Sequence, residues 1–245
     1  EIPLDHIDDE WLMNAAMNSS VIHIRKIKRV MDTAVAVAGL VLLAPFSLVA
    51  AILIRLDSPG PVLFRQRRAG LDSVPYTLYK FRTMRQDAEA TSGAVWADKY
   101  DSRVTRIGSF LRKWRIDEIP QLINVLRGEM SLVGPRPERP EFIDTLAEAI
   151  PFYKERLLVP PGITGWAQVK YPYAASIEAS RRKLQYDLYY IKHMSLFLDC
   201  LILLRTFRTI IVGLKHSEVE VIEEPASGRI IALPSAVKNE GVKTA

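Results

Sequence analysis

The chain has 245 residues, a net charge of +5 and a single cysteine, with a pI near 9.3 and a mean hydropathy of +0.05. That length suits one domain plus appendages, the hydropathy fits a soluble body carrying one membrane element, and one cysteine excludes an internal disulfide. The basic balance points to an anionic membrane surface or phosphate-rich ligands; no nucleic acid partner is expected, since neither a recognition helix nor a zinc pattern is visible.

Residues 1–24 form a lead-in of mixed composition, with a short helix predicted around Trp11–Met17. The start at Glu1 rather than Met reads as a fragment or a processed chain. No secretory signal is read, because the apolar run begins too late and continues too long. Ala34 to Ile54 carries no charge and is about the length needed to cross a bilayer core of roughly 30 Å. Pro45 sits near its midpoint, where it removes a backbone donor. Arg25, Lys26, Lys28 and Arg29 precede the run, and Arg55, Arg65, Arg67 and Arg68 follow it. Basic flanks favour the cytoplasmic side. Residues 25–56 therefore read as a helix–break–helix that dips into one leaflet and returns, each arm reaching roughly 15 Å. Ser47, other protein or water must then satisfy the carbonyls freed at the break. A spanning helix with a proline kink and a buried core helix are the alternatives.

Asp57-Ser58-Pro59-Gly60-Pro61 is a turn cluster. Val62-Leu63-Phe64 reads as a short strand and Tyr76 to Phe81 as a second, together a hairpin. It ends in Lys80-Phe81-Arg82-Thr83-Met84. Lys80 and Arg82 are there either phosphate-binding cations or surface charges at a strand end. Residues 85–104 read as a polar loop containing Trp96. Ile107, Phe110, Leu111 and Trp114 then recur at helical spacing, on a helix studded with Arg106, Arg112, Lys113 and Arg115.

The most chemical stretch follows: Ile116-Asp117-Glu118-Ile119-Pro120-Gln121-Leu122. Pro120 suits the first turn of a helix, which places Asp117 at or near its N-cap and ends the helix at Gly128. A carboxylate there stays ionised and fixed in direction, and the same N–H groups can hold a phosphate. Adjacent carboxylates point in different directions, so Asp117 and Glu118 are expected to have separate roles. The plain alternative is a capping Asp with a first-turn Glu. Arg136, between Pro135 and Pro137, has its backbone held extended, and a rigid Arg suits a bidentate grip on phosphate; an exposed arginine in a stiff turn is the other reading. Residues 138–158 read as an amphipathic helix or two, broken near Pro151. The loop from Pro160 to Trp166 is expected to enter a short strand through Trp166, Ala167, Gln168 and Val169.

A helix is predicted from Ile177 to Lys192. The apolar segment from Met194 to Gly213 carries Asp199, Arg205 and Arg208, which make a full crossing costly. It reads as an amphipathic helix in the membrane interface, with Tyr189 and Tyr190 near head groups, or else as a buried core helix. Cys200 reads as a small core residue. Residues 216–245 have no aromatic anchor and read as a mobile tail. The fold class is thus α+β, mostly helical, with a re-entrant membrane helix, a small hairpin and amphipathic interfacial helices.

Five strings in this order resemble the bacterial sugar transferase family, the monotopic phosphoglycosyl transferases: Lys28-Arg29-Val30-Met31-Asp32 before a Pro-broken apolar run, Lys80-Phe81-Arg82-Thr83-Met84, Asp117-Glu118-Ile119-Pro120-Gln121, Leu132-Val133-Gly134-Pro135-Arg136-Pro137, and Pro161-Gly162-Ile163-Thr164-Gly165-Trp166. The resemblance implies transfer of a sugar 1-phosphate from a nucleotide diphosphate sugar, such as a UDP-hexose, to polyprenyl (undecaprenyl) phosphate, with Mg²⁺, in the assembly of an exopolysaccharide or other glycoconjugate. It implies a monotopic enzyme on the cytoplasmic face of the bacterial inner membrane, with a catalytic domain over 57–215. It also implies roles: Asp117 as nucleophile, Glu118 as its partner holding Mg²⁺ with Asp117, and Arg112 and Arg136 as phosphate-gripping arginines. Two departures stand out. Ala44 precedes the kink proline where smaller members often have Ser, and Lys170-Tyr171-Pro172-Tyr173 replaces their Asn-Gly-Arg-Asn-like loop. The start at Glu1 resembles the catalytic part of larger members, and a homodimer is left open. A membrane-anchored nucleotide-sugar hydrolase and a non-catalytic scaffold are the competing readings.

Overall fold

A computed structural model describes residues 19–86, 103–171 and 176–211. The expected helix around Trp11–Met17, the loop around Trp96, Pro172-Tyr173 and the C-terminal tail lie outside the described residues. Helix α1 runs from Ser19 to Asp57 and keeps Pro45 inside it. The expected break does not divide it into two helices. Ile24–Asp57 is the one described helix long and apolar enough to cross a membrane.

Both arms of α1 are tied to the rest of the protein. On the N-terminal arm, Arg25 donates to the Leu158 carbonyl at 3.0 Å and Lys28 pairs with Asp199 at 2.6 Å. Arg29 donates to the carbonyls of Val125 and Leu126. Asp32 accepts from the Ser131 hydroxyl at 2.7 Å and the Leu132 N–H at 3.3 Å. On the C-terminal arm, Ala50 and Ile54 are buried with Phe81 and Leu111, and Asp57 accepts from the Ile107 N–H at 3.2 Å. Between the arms, Val41, Leu42, Phe46, Leu48, Val49 and Ile52 are exposed, Leu42 to 70%. Ile119 packs against both buried clusters, so the two arms close on one body.

Strands β1 (Leu63–Ala69) and β2 (Pro75–Phe81) form the expected antiparallel hairpin, in register from Leu63 opposite Phe81 to Ala69 opposite Pro75. β1 is longer than predicted, because the alternation through Arg65 and Arg67 continues the strand with charges on its exposed face. Helix α2 spans Arg106–Lys113, with the Thr105 hydroxyl accepting from the Gly108 N–H. A β-carbon at Gly108 would lie 2.0 Å from the Thr83 carbonyl oxygen, so only glycine lets α2 sit this close to the end of the hairpin. Helix α3 spans Gln121–Arg127. Its buried Asn124 accepts from the Tyr79 N–H at 3.1 Å and donates to the Thr77 carbonyl at 2.7 Å. One side chain thus satisfies the free edge of β2 as a third strand would.

Strand β3 (Ser131–Val133) pairs in parallel with β4 (Gly162–Thr164). Between them lie α4 (Pro140–Ala149) and a 3₁₀ turn at Tyr153–Leu157, matching the expected division near Pro151. The residues after β4 turn into a helix, α5 (Trp166–Lys170), where a strand was expected; they pack on α6. Helix α6 spans Ile177–Lys192 and α7 spans Leu196–Ile211. α7 buries Leu198, Asp199 and Ile202 and exposes Phe197, Leu204, Phe207 and Ile211, Phe197 to 81%. Tyr190, expected near head groups, is 1% exposed; its hydroxyl lies 2.7 Å from Asp199 and 3.2 Å from the Val133 carbonyl. Cys200, expected in the core, is exposed, because Asp199 takes the inward position through Lys28 and Tyr190.

Candidate active site

Helix α2 ends at Trp114, and Arg115 then reverses the chain in a left-handed conformation, φ 57° and ψ 18°. That backbone is costly for a residue with a side chain. It delivers a single 3₁₀ turn, Ile116–Glu118, that buries both Asp117 and Glu118. Ile116 and Ile119 anchor the turn against the cluster around Leu111 and Phe81. Asp117 was expected to cap α3. Instead Pro120 takes the cap position and no side chain caps the helix. The Glu118 and Ile119 N–H groups are used within the turn, on the carbonyls of Arg115 and Ile116. The carboxylates are therefore fixed by the turn and by their neighbours, not by a helix N-terminus.

Glu118 is ringed by cations. Its Oε1 lies 3.0 Å from Arg115, 3.5 Å from Lys80 and 3.6 Å from Arg136. Burial pushes its carboxyl up, but Lys80, Arg115 and Arg136 outweigh burial and hold it well below the usual carboxylate range. Asp117 differs. Its Oδ1 is buried and has no hydrogen-bond partner. Burial, then the charge of Glu118, push its carboxyl up to about 6, against the pull of Lys80, Arg115 and Arg112. Burial lowers Lys80 to about 8, with Glu118 opposing. Four cations against two carboxylates leave the site net positive, suited to phosphate.

Of the residues singled out from sequence, Asp117, Glu118, Lys80 and Arg136 are brought together. Arg112 donates from Nε to the Thr83 hydroxyl at 2.8 Å, with its charge acting on Asp117. Arg82 is placed elsewhere. Its guanidinium is buried and donates to the carbonyls of Ser58 at 2.6 Å and Pro59 at 2.9 Å, closing the C-terminal end of α1. Along β2 side chains alternate in direction, so Lys80 and Arg82 would share a face, but the strand ends at Phe81.

Arg136 is held from three sides. Pro135 and Pro137 flank it, its Nη1 donates to Gln168 Oε1 at 3.0 Å, and its carbonyl accepts from Arg156 at 3.0 Å. Arg156 is itself buried on Asp187 of α6 at 2.8 Å. A β-carbon at Gly165 would lie 2.2 Å from the Gly134 carbonyl oxygen, so glycine there lets α5 bring Gln168 against the Arg136 loop. Sequence reasoning did not single out Arg115, Gln168, Arg156 or Asp187 as site residues. Arg115 adjoins Ile116-Asp117-Glu118 and was within reach; the other three join the site only through contacts 20 or more residues apart.

The chain belongs to the bacterial sugar transferase family, whose model matches residues 23–213. It is similar to a UDP-N-acetylgalactosamine-undecaprenyl-phosphate N-acetylgalactosaminephosphotransferase of Aeromonas hydrophila, at 48% identity over 212 residues, 86% of this chain and 49% of the relative. It is also similar to a UDP-glucose:undecaprenyl-phosphate glucose-1-phosphate transferase of Caulobacter vibrioides, at 45% identity over 181 residues, 73% of this chain and 67% of the relative. An exopolysaccharide production protein, PSS, of Rhizobium leguminosarum bv. phaseoli is 42% identical over 189 residues, 74% of this chain and 92% of the relative. The match spans about half the length of the Aeromonas relative.

Proposed function

We propose that the chain transfers a sugar 1-phosphate from a nucleotide diphosphate sugar, a UDP-hexose or its N-acetylated form, to polyprenyl phosphate through a covalent intermediate on Asp117. The observation that carries this reading is the contrast between the two neighbouring carboxylates. Glu118 meets three cations through Oε1, whereas Asp117 keeps one buried oxygen without a hydrogen bond. An oxygen in that state is desolvated and free to attack.

In the first step an Asp117 oxygen attacks the phosphorus bonded to the sugar. The P–O bond to the nucleoside monophosphate breaks, and that oxygen leaves with the electron pair. In the second, an oxygen of polyprenyl phosphate attacks the same phosphorus, and the bond to Asp117 breaks to restore the carboxylate. Splitting one transfer into two is the gain of covalent catalysis. Lys80, Arg115 and Arg136 supply the charge that meets the diphosphate, and Glu118 holds the three in one place and orientation. Arg112 adds positive charge beside Asp117.

The residues fit the divalent ion that the family resemblance implies. Asp117 and Glu118 would hold it through carboxylate oxygens, which are hard donors, with one Asp117 oxygen left to attack. Mg²⁺ leaves most of its positions to phosphate and water, so two carboxylates would be enough to hold it. Bound there, the ion would neutralise the diphosphate and ease departure of the monophosphate.

A monotopic placement on the cytoplasmic face of the bacterial inner membrane completes the proposal. It is supported by α1, whose two arms bond to one polar body while its middle is exposed and apolar. Two arms bonded to one polar body favour a placement with both ends on the same side of the bilayer. The outward apolar face of α7 supports contact with the same surface.

The test is a lipid-free assay. Enzyme, Mg²⁺ and a panel of nucleotide sugars should yield about one nucleoside monophosphate per enzyme and then stop. The sugar phosphate should stay on the peptide containing Asp117, and Asp117→Asn should abolish the burst. Continuous release without lipid would indicate a hydrolase instead, and no release with any nucleotide sugar a scaffold.

A further inference from the structure

We propose that Lys170 and Arg205, gathered on the indole of Trp166, dock the phosphate of the polyprenyl acceptor before it reaches Asp117. The inference rests on the transferase reading above and adds a second anion site to it. Lys170 of α5 lies 4.9 Å from the Trp166 ring centroid, and Arg205 of α7 lies 5.1 Å from it. Tyr189 stacks on the same indole at 6.1 Å, which fixes the ring. Neither cation has an acidic partner among the described residues. Two like charges drawn to one ring repel each other, and the ring offsets only part of that cost. An anion within reach of both would offset the rest.

The location fits a substrate arriving along the membrane. Arg205 is half-buried beside the exposed Leu204 and Phe207, at the edge of the apolar face of α7. The next residue, Thr206, lies 2.7 Å from Thr164 through their hydroxyls, which pins this part of α7 to the end of β4. Helix α5 is only about 7.5 Å long. It carries Trp166 and Lys170 four residues apart on one face, and Gln168, bonded to Arg136, on another. A phosphate held by the pair is thus one short helix away from the reaction centre.

The charge count favours this occupant over bulk phospholipid. A phosphate monoester carries about two negative charges near neutral pH, matching two cations, whereas a phospholipid diester carries one on its phosphate. The nucleotide sugar already has the cations around Glu118, so the first half-reaction does not need this pair.

The experiment uses the full chain in vesicles of zwitterionic phosphatidylcholine, with polyprenyl phosphate varied. Lys170→Gln and Arg205→Gln should each raise the KM for polyprenyl phosphate about tenfold, the worth of one charged hydrogen bond. Arg205→Lys should stay close to the parent. In all of these the lipid-free burst should keep its amplitude and rate. An unchanged KM in the double Gln variant, with a normal burst, overturns the docking site and leaves the transferase intact. A burst lost in that variant alone also overturns it, by placing the pair in the first half-reaction. Equal loss of binding to vesicles lacking polyprenyl phosphate would make the pair a general membrane contact instead. If the parent chain gives no burst, it is the transferase reading that fails.

Discussion

If Asp117 attacks as its carboxylate, the first half-reaction should fail as that group takes up a proton, and the structure places this failure unusually high on the pH scale. Burial and the neighbouring Glu118 hold Asp117 near 6, while the three cations keep Glu118 ionised throughout the same range. The sign is therefore definite: as pH falls through about 6, the nucleophile is lost while its cation-holding partner is not. One proton controls the step, so the rate should drop about tenfold between pH 7 and pH 5. The assay is single-turnover release of nucleoside monophosphate at subsaturating nucleotide sugar, which reports the free enzyme. Polyprenyl phosphate must be left out, because a phosphate monoester itself titrates near 6; the diphosphate of a nucleotide sugar does not. Glu118→Gln then gives the sharper check. It removes a charge that raises Asp117 and frees Lys80 and Arg115, which lower it, so the acid limb should move to lower pH even as the maximal rate falls. An acid limb that stays in place or moves up in Glu118→Gln would refute the electrostatic account. A flat profile down to pH 5 in the parent would refute Asp117 as a perturbed nucleophile.

Arg136→Lys keeps the charge but loses the planar fork toward Gln168 and the phosphate, and should cost about 2 kcal/mol in kcat/KM for nucleotide sugar; unchanged activity would mean that the arginine only shapes the loop. Lys28→Met leaves Asp199 buried without its cation and should destabilise the protein by about 3–5 kcal/mol, read as thermal unfolding in detergent, whereas Lys28→Met with Asp199→Leu should recover most of that loss. Pro45→Leu restores a backbone donor in the middle of the exposed apolar stretch and should shift α1 toward a full crossing; tags at the N-terminus and after residue 213, accessible from one side in the parent, should then divide between sides, and a parent N-terminus reached only from outside would contradict the one-leaflet placement.

Much of the site could be read from short strings because its chemistry is local. Asp117 and Glu118 are adjacent, and the stiffness of Arg136 follows from the prolines on either side. What escaped were contacts between distant segments. Arg82 looked like Lys80, two residues away in the same basic string, yet the strand ends between them and Arg82 turns to the carbonyls at the end of α1. Asn124 resembles an ordinary polar position on a short helix, and only the packed structure shows it completing the edge of β2. The strand expected at Trp166–Val169 became a helix because tertiary packing on α6 decides the state of five residues more strongly than their composition. Tyr190 and Cys200 exchanged places relative to expectation for one reason: Asp199 turns inward to meet Lys28 and orients that end of α7.

The ties along the N-terminal arm of α1 change what can be removed from this protein. A membrane anchor that merely tethers can be cut off to give a soluble domain. Here the cut would leave Asp199 without its lysine, the Val125 and Leu126 carbonyls at the end of α3 without Arg29, and Ser131 and the Leu132 N–H without Asp32. Ser131 and Leu132 lie on β3, which leads into the Arg136 loop, α3 follows directly on the Asp117 turn, and Asp199 accepts from Tyr190, whose hydroxyl also reaches the Val133 carbonyl of β3. Helix α1 is a wall of the folded body as well as its long apolar element, so on the proposed membrane placement solubilising this protein calls for a detergent or a polar redesign of the exposed middle of α1, with Lys28, Arg29 and Asp32 left in place.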